Sequence, residues 1–266
     1  MPLLFTICTD ETSFGLGRLD YASLSQQTLM EMLIDGIEKK KKICSDEESP
    51  LDVFHWKGVT CKESVEVKEI QWNGMELRGS IFLQWLPATV ESVDLQVNEM
   101  EGSIDLRSLP PSLITLRVSA NYFTGEVCLV SLPDCLETVQ LSFNQLGGSL
   151  SLEHLPEALT TLALSSNMFQ GTISLRNLPE KLESLHLTRN LLSGPVDLTS
   201  LPQSLHSLHL NVNGFSGETD FTQLPASLQS LNVSCTKIAG EIFAEQSKSI
   251  CTHNSKVKKK KAQKKK

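Results

Sequence analysis

Apolar and polar positions recur along this chain with two periods. Over short stretches the period is two, as in Leu185-His186-Leu187, which places apolar side chains on one face of a strand. Over the whole chain the period is 23. Leu86, Leu109, Leu132, Leu155, Leu178, Leu201 and Leu224 each precede a proline. Twelve residues after each leucine but the last stands an asparagine: Asn98, Asn121, Asn144, Asn167, Asn190 and Asn213. Four residues further on come Gly102, Gly125, Gly148, Gly171, Gly194, Gly217 and, without its asparagine, Gly240. One cycle earlier lies Gly79, with Val67, Ile70 and Trp72 in the apolar columns. Each cycle predicts one short strand, a bend and a return path lined by apolar residues. A single cycle cannot bury its own leucines, so the cycles must stack. The predicted architecture is an α/β-type solenoid, mostly β with an irregular convex side, of about eight coils over residues 67–243. At ~4.8 Å per coil the stack is about 35 Å long.

The consensus LPxSLxxLxLxxNxFxGxIxLxx contains LxxLxLxxN, which resembles the leucine-rich repeat. The "NLLSGPVDL" and "NYFTGEVCL" turns are similar to the plant-type repeat. "FHWKGVTC", residues 54–61, resembles the CxWxGVxC cap that precedes plant-type arrays. Phe54 stands where that cap has its first cysteine, so the usual disulfide to Cys61 cannot form there, and Cys44 is a substitute partner that the sequence leaves open. Over the whole chain, "LSQQTLMEMLIDGIEKKKKICSDEESPLDVFHWKGVTC" followed by "GSI" turns and "LPxSL" steps looks like the leucine-rich repeat proteins of kinetoplastid protozoa. The "LPxSLxxLxV" step is similar to bacterial leucine-rich repeat effectors, which usually lack the "GxIxL" insert. The resemblance implies a binding role without catalytic residues. It also implies that the asparagine points inward and satisfies backbone groups of its turn and of the next coil.

Both ends of such a stack expose core and strand edge, so both need caps. Residues 1–66 supply the first. Within residues 23–38, Leu29, Leu33 and Ile37 fall on one helical face beside Met30 and Ile34, with Ser23 and Gln26 as a capping box. That face is expected to cover the first coil with Trp56, Trp72 and Trp85. At the far end Thr236 takes the asparagine column, and residues 244–266 are expected to be a disordered basic tail.

Composition changes this picture mainly at the tail. The chain has 266 residues and a formal charge of −7, but the last 20 residues hold nine lysines and no acid, so an acidic body of −16 carries a tail of +9. Lys256, Lys258, Lys259, Lys260, Lys261, Lys264, Lys265 and Lys266 form its run. It fits a nuclear import receptor, nucleic acid, an acidic lipid surface or simple solubilisation. Interleaved aromatics for base stacking are absent. The seven cysteines follow no CxxC spacing, the first residues lack a basic n-region, and no stretch reaches the ~18 apolar residues of a membrane span. These features lead us to expect a monomer in the cytoplasm or nucleus.

Candidate recognition residues occupy the gaps that the lattice leaves free on the concave strands. One column, from Glu69 to Ser230, is almost all Ser or Thr. The next varies and includes Asp94, Arg117, His186 and His209; a column further on adds Phe143 and Arg189. Arginine and aromatic residues are favoured anchors at interfaces. His186 and His209 fall side by side on adjacent strands, ~5 Å apart at the backbone. No carboxylate or cysteine completes a metal set beside them, so two exposed histidines are expected rather than a metal site. No GxSxG, GxxxxGK[ST], HExxH or strand-following GxGxxG occurs, and no cofactor is expected. The sequence therefore points to a non-catalytic protein-interaction module that uses the concave face. The alternatives are an adaptor working through its lysine tail, and a surface or secreted antigen.

Overall fold

A computed structural model describes residues 24–46, 50–243 and 250–260, and it winds them into stacked coils that feed two rows of short strands. The first row is the long sheet. Val67–Gln71, Ser92–Asp94, Thr115–Arg117, Thr138–Gln140, Thr161–Ala163, Ser184–His186, Ser207–His209 and Ser230–Asn232 follow one another in parallel. Val59–Cys61 closes one end antiparallel. Parallel order follows from the repeat, because each strand must be left by a full turn of chain before the next begins. The path after the ladder asparagine, expected only as a bend, also pairs from coil to coil. It runs from Arg78–Gly79 and Glu99–Met100 to Lys237–Phe243 and Lys256–Lys260, in segments joined by the single bridges Ser103↔Thr124 and Ser149↔Gln170.

The core lies between these rows. Leu182, Leu185, Leu187 and Leu192 of one coil are fully buried, as are Leu205, Leu208, Leu210 and Phe215 of the next. Each such side chain contributes about 1.5–3 kcal/mol by leaving water, available only when neighbouring coils are in place. The stack is thus cooperative over neighbours rather than over one globule.

Two backbone positions recur at positive φ from coil to coil. From Gly74 through Val97, Phe143, Arg189 and Val212 to Cys235, the residue preceding the asparagine column has φ between 52° and 62° in every coil. The chain must turn out of the strand sharply here, and it does so even where the residue is β-branched. The glycine column is the second. At Gly79, φ is 86° and an added Cβ would stand 2.2 Å from Gly36 O, so only glycine lets the N-terminal cap pack against the first coil.

The caps depart from the sequence expectation in detail. The helix spans Gln26–Leu33, and Ser25, not Ser23, caps it, its Oγ accepting from Thr28 N–H at 3.1 Å. The helical period breaks before Ile37. Ile37 is instead buried in a two-residue strand, Ile37–Glu38, antiparallel to Arg78–Gly79. Met30, Leu33, Ile34, Trp56 and Trp72 are buried as expected, while Trp85 is only partly buried. Cys44 and Cys61 are not joined to each other by a disulfide; the Cys44 thiol lies within hydrogen-bond reach of Lys40 O and Asp46 O, and partial burial pushes the Cys61 thiol up.

The larger correction is at the other end. Residues 250–260 are not a disordered tail. Ile250–Cys251 adds to the long sheet beside Leu231 and Asn232, and Lys256–Lys260 adds to the second row beside Lys237–Phe243. Together they make one more, shorter coil. Only 19 residues separate Leu231 from its partner Ile250, against 23 between Leu208 and Leu231, so a strict period misses it. Ile250 is buried and Val257 packs against the core, which pins a strand made mostly of lysine. Lys261, Lys264, Lys265 and Lys266 lie outside the described residues.

Candidate functional site

The ladder sets where every candidate side chain points. Each asparagine amide works at both ends. In Asn121, Oδ1 accepts from Met100 N–H at 3.0 Å while Nδ2 donates to Leu95 O at 2.9 Å and Val118 O at 3.1 Å. Asn98, Asn144, Asn167, Asn190 and Asn213 repeat the scheme. The coil reached is the preceding one, not the next one that the family resemblance suggested. Thr236 bonds only within its own turn, through Val233 O and Ile238 N–H, so among the described residues the inter-coil ladder stops at Asn213.

With the asparagines turned inward, their sequence neighbours turn outward. Val97, Tyr122, Phe143, Met168, Leu191 and Val212 lie on six successive coils, and each is adjacent to a ladder asparagine, before it or after it. They expose between 39% and 64% of their surface. Their backbones are held: Phe143 N–H donates to Ser165 O on the next coil at 2.8 Å, and Leu191 N–H to Phe169 O on the preceding coil at 2.8 Å. The result is a fixed apolar stripe of six side chains across about 24 Å, given the ~4.8 Å coil spacing. Phe143 was a sequence candidate. Tyr122, Met168 and Leu191 were not, because they follow the asparagine and so fall outside the strand columns. The available signal was the presence of a large apolar residue on one or other side of every ladder asparagine.

The remaining candidates divide. Asp94 is buried, and its Oδ1 accepts from Gln96 N–H at 3.0 Å; it serves its own turn and is not a free recognition group. Arg117 pairs in register between Asp94 and Gln140 and is half-buried. Arg189 is exposed at the rim, one position before Asn190, in the same left-handed turn as Phe143. A hydrogen bond from Gln96 Nε2 to Gln140 Oε1, 2.7 Å, crosses the strand that carries Arg117.

His186 and His209 are not simply two exposed histidines. Their rings stack with centroids 4.5 Å apart and planes 11° from parallel. His186 Nε2 lies 3.0 Å from Ser207 Oγ, and His209 Nε2 lies 2.9 Å from Ser230 Oγ. Burial pushes both imidazoles below their ordinary value, and for His186 a charge on His209 would add to this. Stacked rings with hydroxyl partners suit two neutral imidazoles. Among the described residues no three His, Cys, Asp or Glu side chains gather as metal ligands. No helix among them is long and apolar enough to cross a membrane.

No family model and no curated protein matches this sequence. Solved structures do. The Arabidopsis receptor kinase HAESA, in complex with the peptide hormone IDA and the co-receptor SERK1, matches at 19% identity with a TM-score of 0.53 over 87% of this chain. A pollen receptor kinase 3 matches at 23% identity with a TM-score of 0.51 over 79% of this chain. The chain spans about half of the first of these and 99% of the second is covered. At such identities the likeness concerns the fold, and the fold they share with this chain is the leucine-rich repeat solenoid.

Proposed function

We propose that this protein is a non-catalytic interaction module that binds a protein partner along the apolar stripe and the adjoining strands of the long sheet. The stripe carries the reading. Six large apolar side chains are held in water, one on each of six successive coils, and exposed apolar surface gathered along one line is the kind that marks a protein contact. Backbone strain adds weight: Val97, Phe143 and Val212 keep an exposed apolar side chain at φ near 57°, where asparagine or glycine would fit without cost. Arg189 adds a charge at the same rim, and aromatic and arginine residues are the usual anchors of such contacts. HAESA, which shares the fold, is a receptor kinase seen with a peptide hormone and a co-receptor.

The test is affinity capture with a stripe variant carrying Tyr122→Ser, Phe143→Asn and Leu191→Ser, beside a control carrying Val130→Ser, an exposed apolar residue off the stripe. A protein enriched by the native chain should be lost with the stripe variant and kept with the control. Equal capture by a stripe variant that melts like the native chain would overturn the reading.

A further inference from the structure

We propose that the lysine strand Lys256–Lys260 is a docking edge for an acidic peptide in extended conformation, which adds beside it as one more strand. This surface is distinct from the apolar stripe. Among the described residues, Lys256–Lys260 is the last strand of the second row, paired on one side only, in parallel register with Ala239 to Phe243. Its outer edge leaves alternate backbone N–H and C=O groups without a strand partner among the described residues, as any sheet edge does. The strand is held firmly enough to act as a template, because Val257 packs against the core and Ile250, just upstream, is buried in the long sheet.

The lysines decide what can pair there. Lys256, Lys258, Lys259 and Lys260 are all exposed. Lys256, Lys258 and Lys260 alternate, so their Cα atoms are spaced about 6.6 Å apart along the strand. A partner strand with a carboxylate at every second residue presents charge at the same pitch. The fold already contains one instance of this pairing: Lys260 Nζ forms an ion pair with Glu241 of the neighbouring strand, diagonal to the register pair Glu241↔Lys258. A second copy of the chain would place lysine against lysine, so the edge rejects itself while accepting the opposite charge. Residues 1–246, at −16, repel an acidic ligand and confine it to this end. A phosphate backbone could neutralise the lysines, but it cannot pair with alternating N–H and C=O groups. Residues 250–260 also carry no Phe, Tyr or Trp on which bases could stack.

The experiment titrates the full-length chain against a fluorescent peptide, Thr-Glu-Thr-Glu-Thr-Glu-Thr-Glu, at physiological ionic strength. The same peptide with alternate backbone nitrogens methylated keeps its charge and loses strand pairing; it should bind at least about tenfold more weakly. Lys256→Glu with Lys258→Glu should abolish binding, and Lys256→Arg with Lys258→Arg should retain it, with melting curves confirming that both variants fold. Equal binding of the methylated peptide would overturn the proposal, leaving charge alone. So would absence of peptide binding, or tighter binding by a duplex oligonucleotide or by vesicles of phosphatidylcholine and phosphatidylserine.

Discussion

Asn144 and Val118, 26 residues apart in sequence, are joined by a 3.1 Å hydrogen bond from Nδ2 to the carbonyl oxygen. The same amide gives Leu141 O a bond of 3.0 Å and takes Phe123 N–H at 3.1 Å. One side chain therefore satisfies backbone groups of two coils where water cannot reach. Asn144→Ala leaves those groups buried and unpaired, which costs about 1–3 kcal/mol. The expected fall in melting midpoint is about 2–4 °C per kcal/mol for a chain of this size. Asn213 makes equivalent bonds but is only half-buried, so water can replace part of what Asn213→Ala removes. Thermal unfolding of the two variants side by side should show the larger loss at Asn144. An unchanged midpoint for Asn144→Ala would contradict a structural ladder.

Val97 tests whether the stripe is kept at the expense of stability. It is 64% exposed, so its side chain gains little from burial, and its φ of 56° is unfavourable for a β-branched residue. Val97→Asn removes that strain, worth about 1 kcal/mol, without the extra unfolded-state freedom that glycine would add. The variant should melt about 2–4 °C higher than the native chain and should capture partner less well. A variant that is no more stable would mean that the turn tolerates valine without cost.

The histidine stack gives a pH dependence whose sign is fixed by its surroundings. Burial, and for His186 also His209, lowers both pKa values from the ordinary 6.5. The folded chain thus prefers neutral rings, and the unfolded chain takes up protons first. The stability that the stack contributes is complete above 6.5 and is lost as pH falls through 6.5 toward the lowered values. The register neighbours of the pair, Ala163 and Asn232, are uncharged, and the hydroxyl partners Ser207 and Ser230 do not titrate in this range. Melting midpoints measured from about pH 8 down to about pH 5 should fall. His186→Asn with His209→Asn should flatten that part of the curve, while acid loss from carboxylates elsewhere remains. A double variant with an unaltered slope would remove the stack from the account.

What could be read from the sequence was what the stacking lattice requires. Leu185, Leu187 and Leu192 repeat because each must be buried, and Asn190 repeats because a buried turn needs its amide; all four are inside as the period demands. The site was less legible because side-chain direction depends on turn geometry that the period does not encode. Asp94 falls in a strand column and was expected to face a partner, yet a local turn bond to Gln96 buries it. Tyr122 and Leu191 fall after the asparagine, where the family pattern marks no surface, yet the inward asparagine forces them out. His186 and His209 were correctly placed as neighbours, but their stacking depends on rotamers. The last coil was hidden by its shortened length and by composition, because a run of lysines reads as solvated chain until Ile250 and Val257 are seen to anchor it.

That last coil makes its own prediction. Ile250 is buried beside Leu231 at the end of the long sheet and covers apolar surface that would otherwise face water. Ile250→Ala removes about 2–5 kcal/mol if the coil is fully formed, with the lower end expected at an edge that can partly collapse. Lys258 lies in the same coil with its side chain exposed, so Lys258→Ala should stay within about 0.5 kcal/mol. Thermal unfolding separates the two cases. A tail that merely trails from the stack would make both substitutions silent, whereas a capping coil makes the isoleucine costly and the lysine free. Cleavage by a lysine-specific protease gives a second readout. The native chain should resist cutting after Lys256 and Lys258 for longer than the Ile250→Ala variant, because a paired strand must open before the enzyme can bind it.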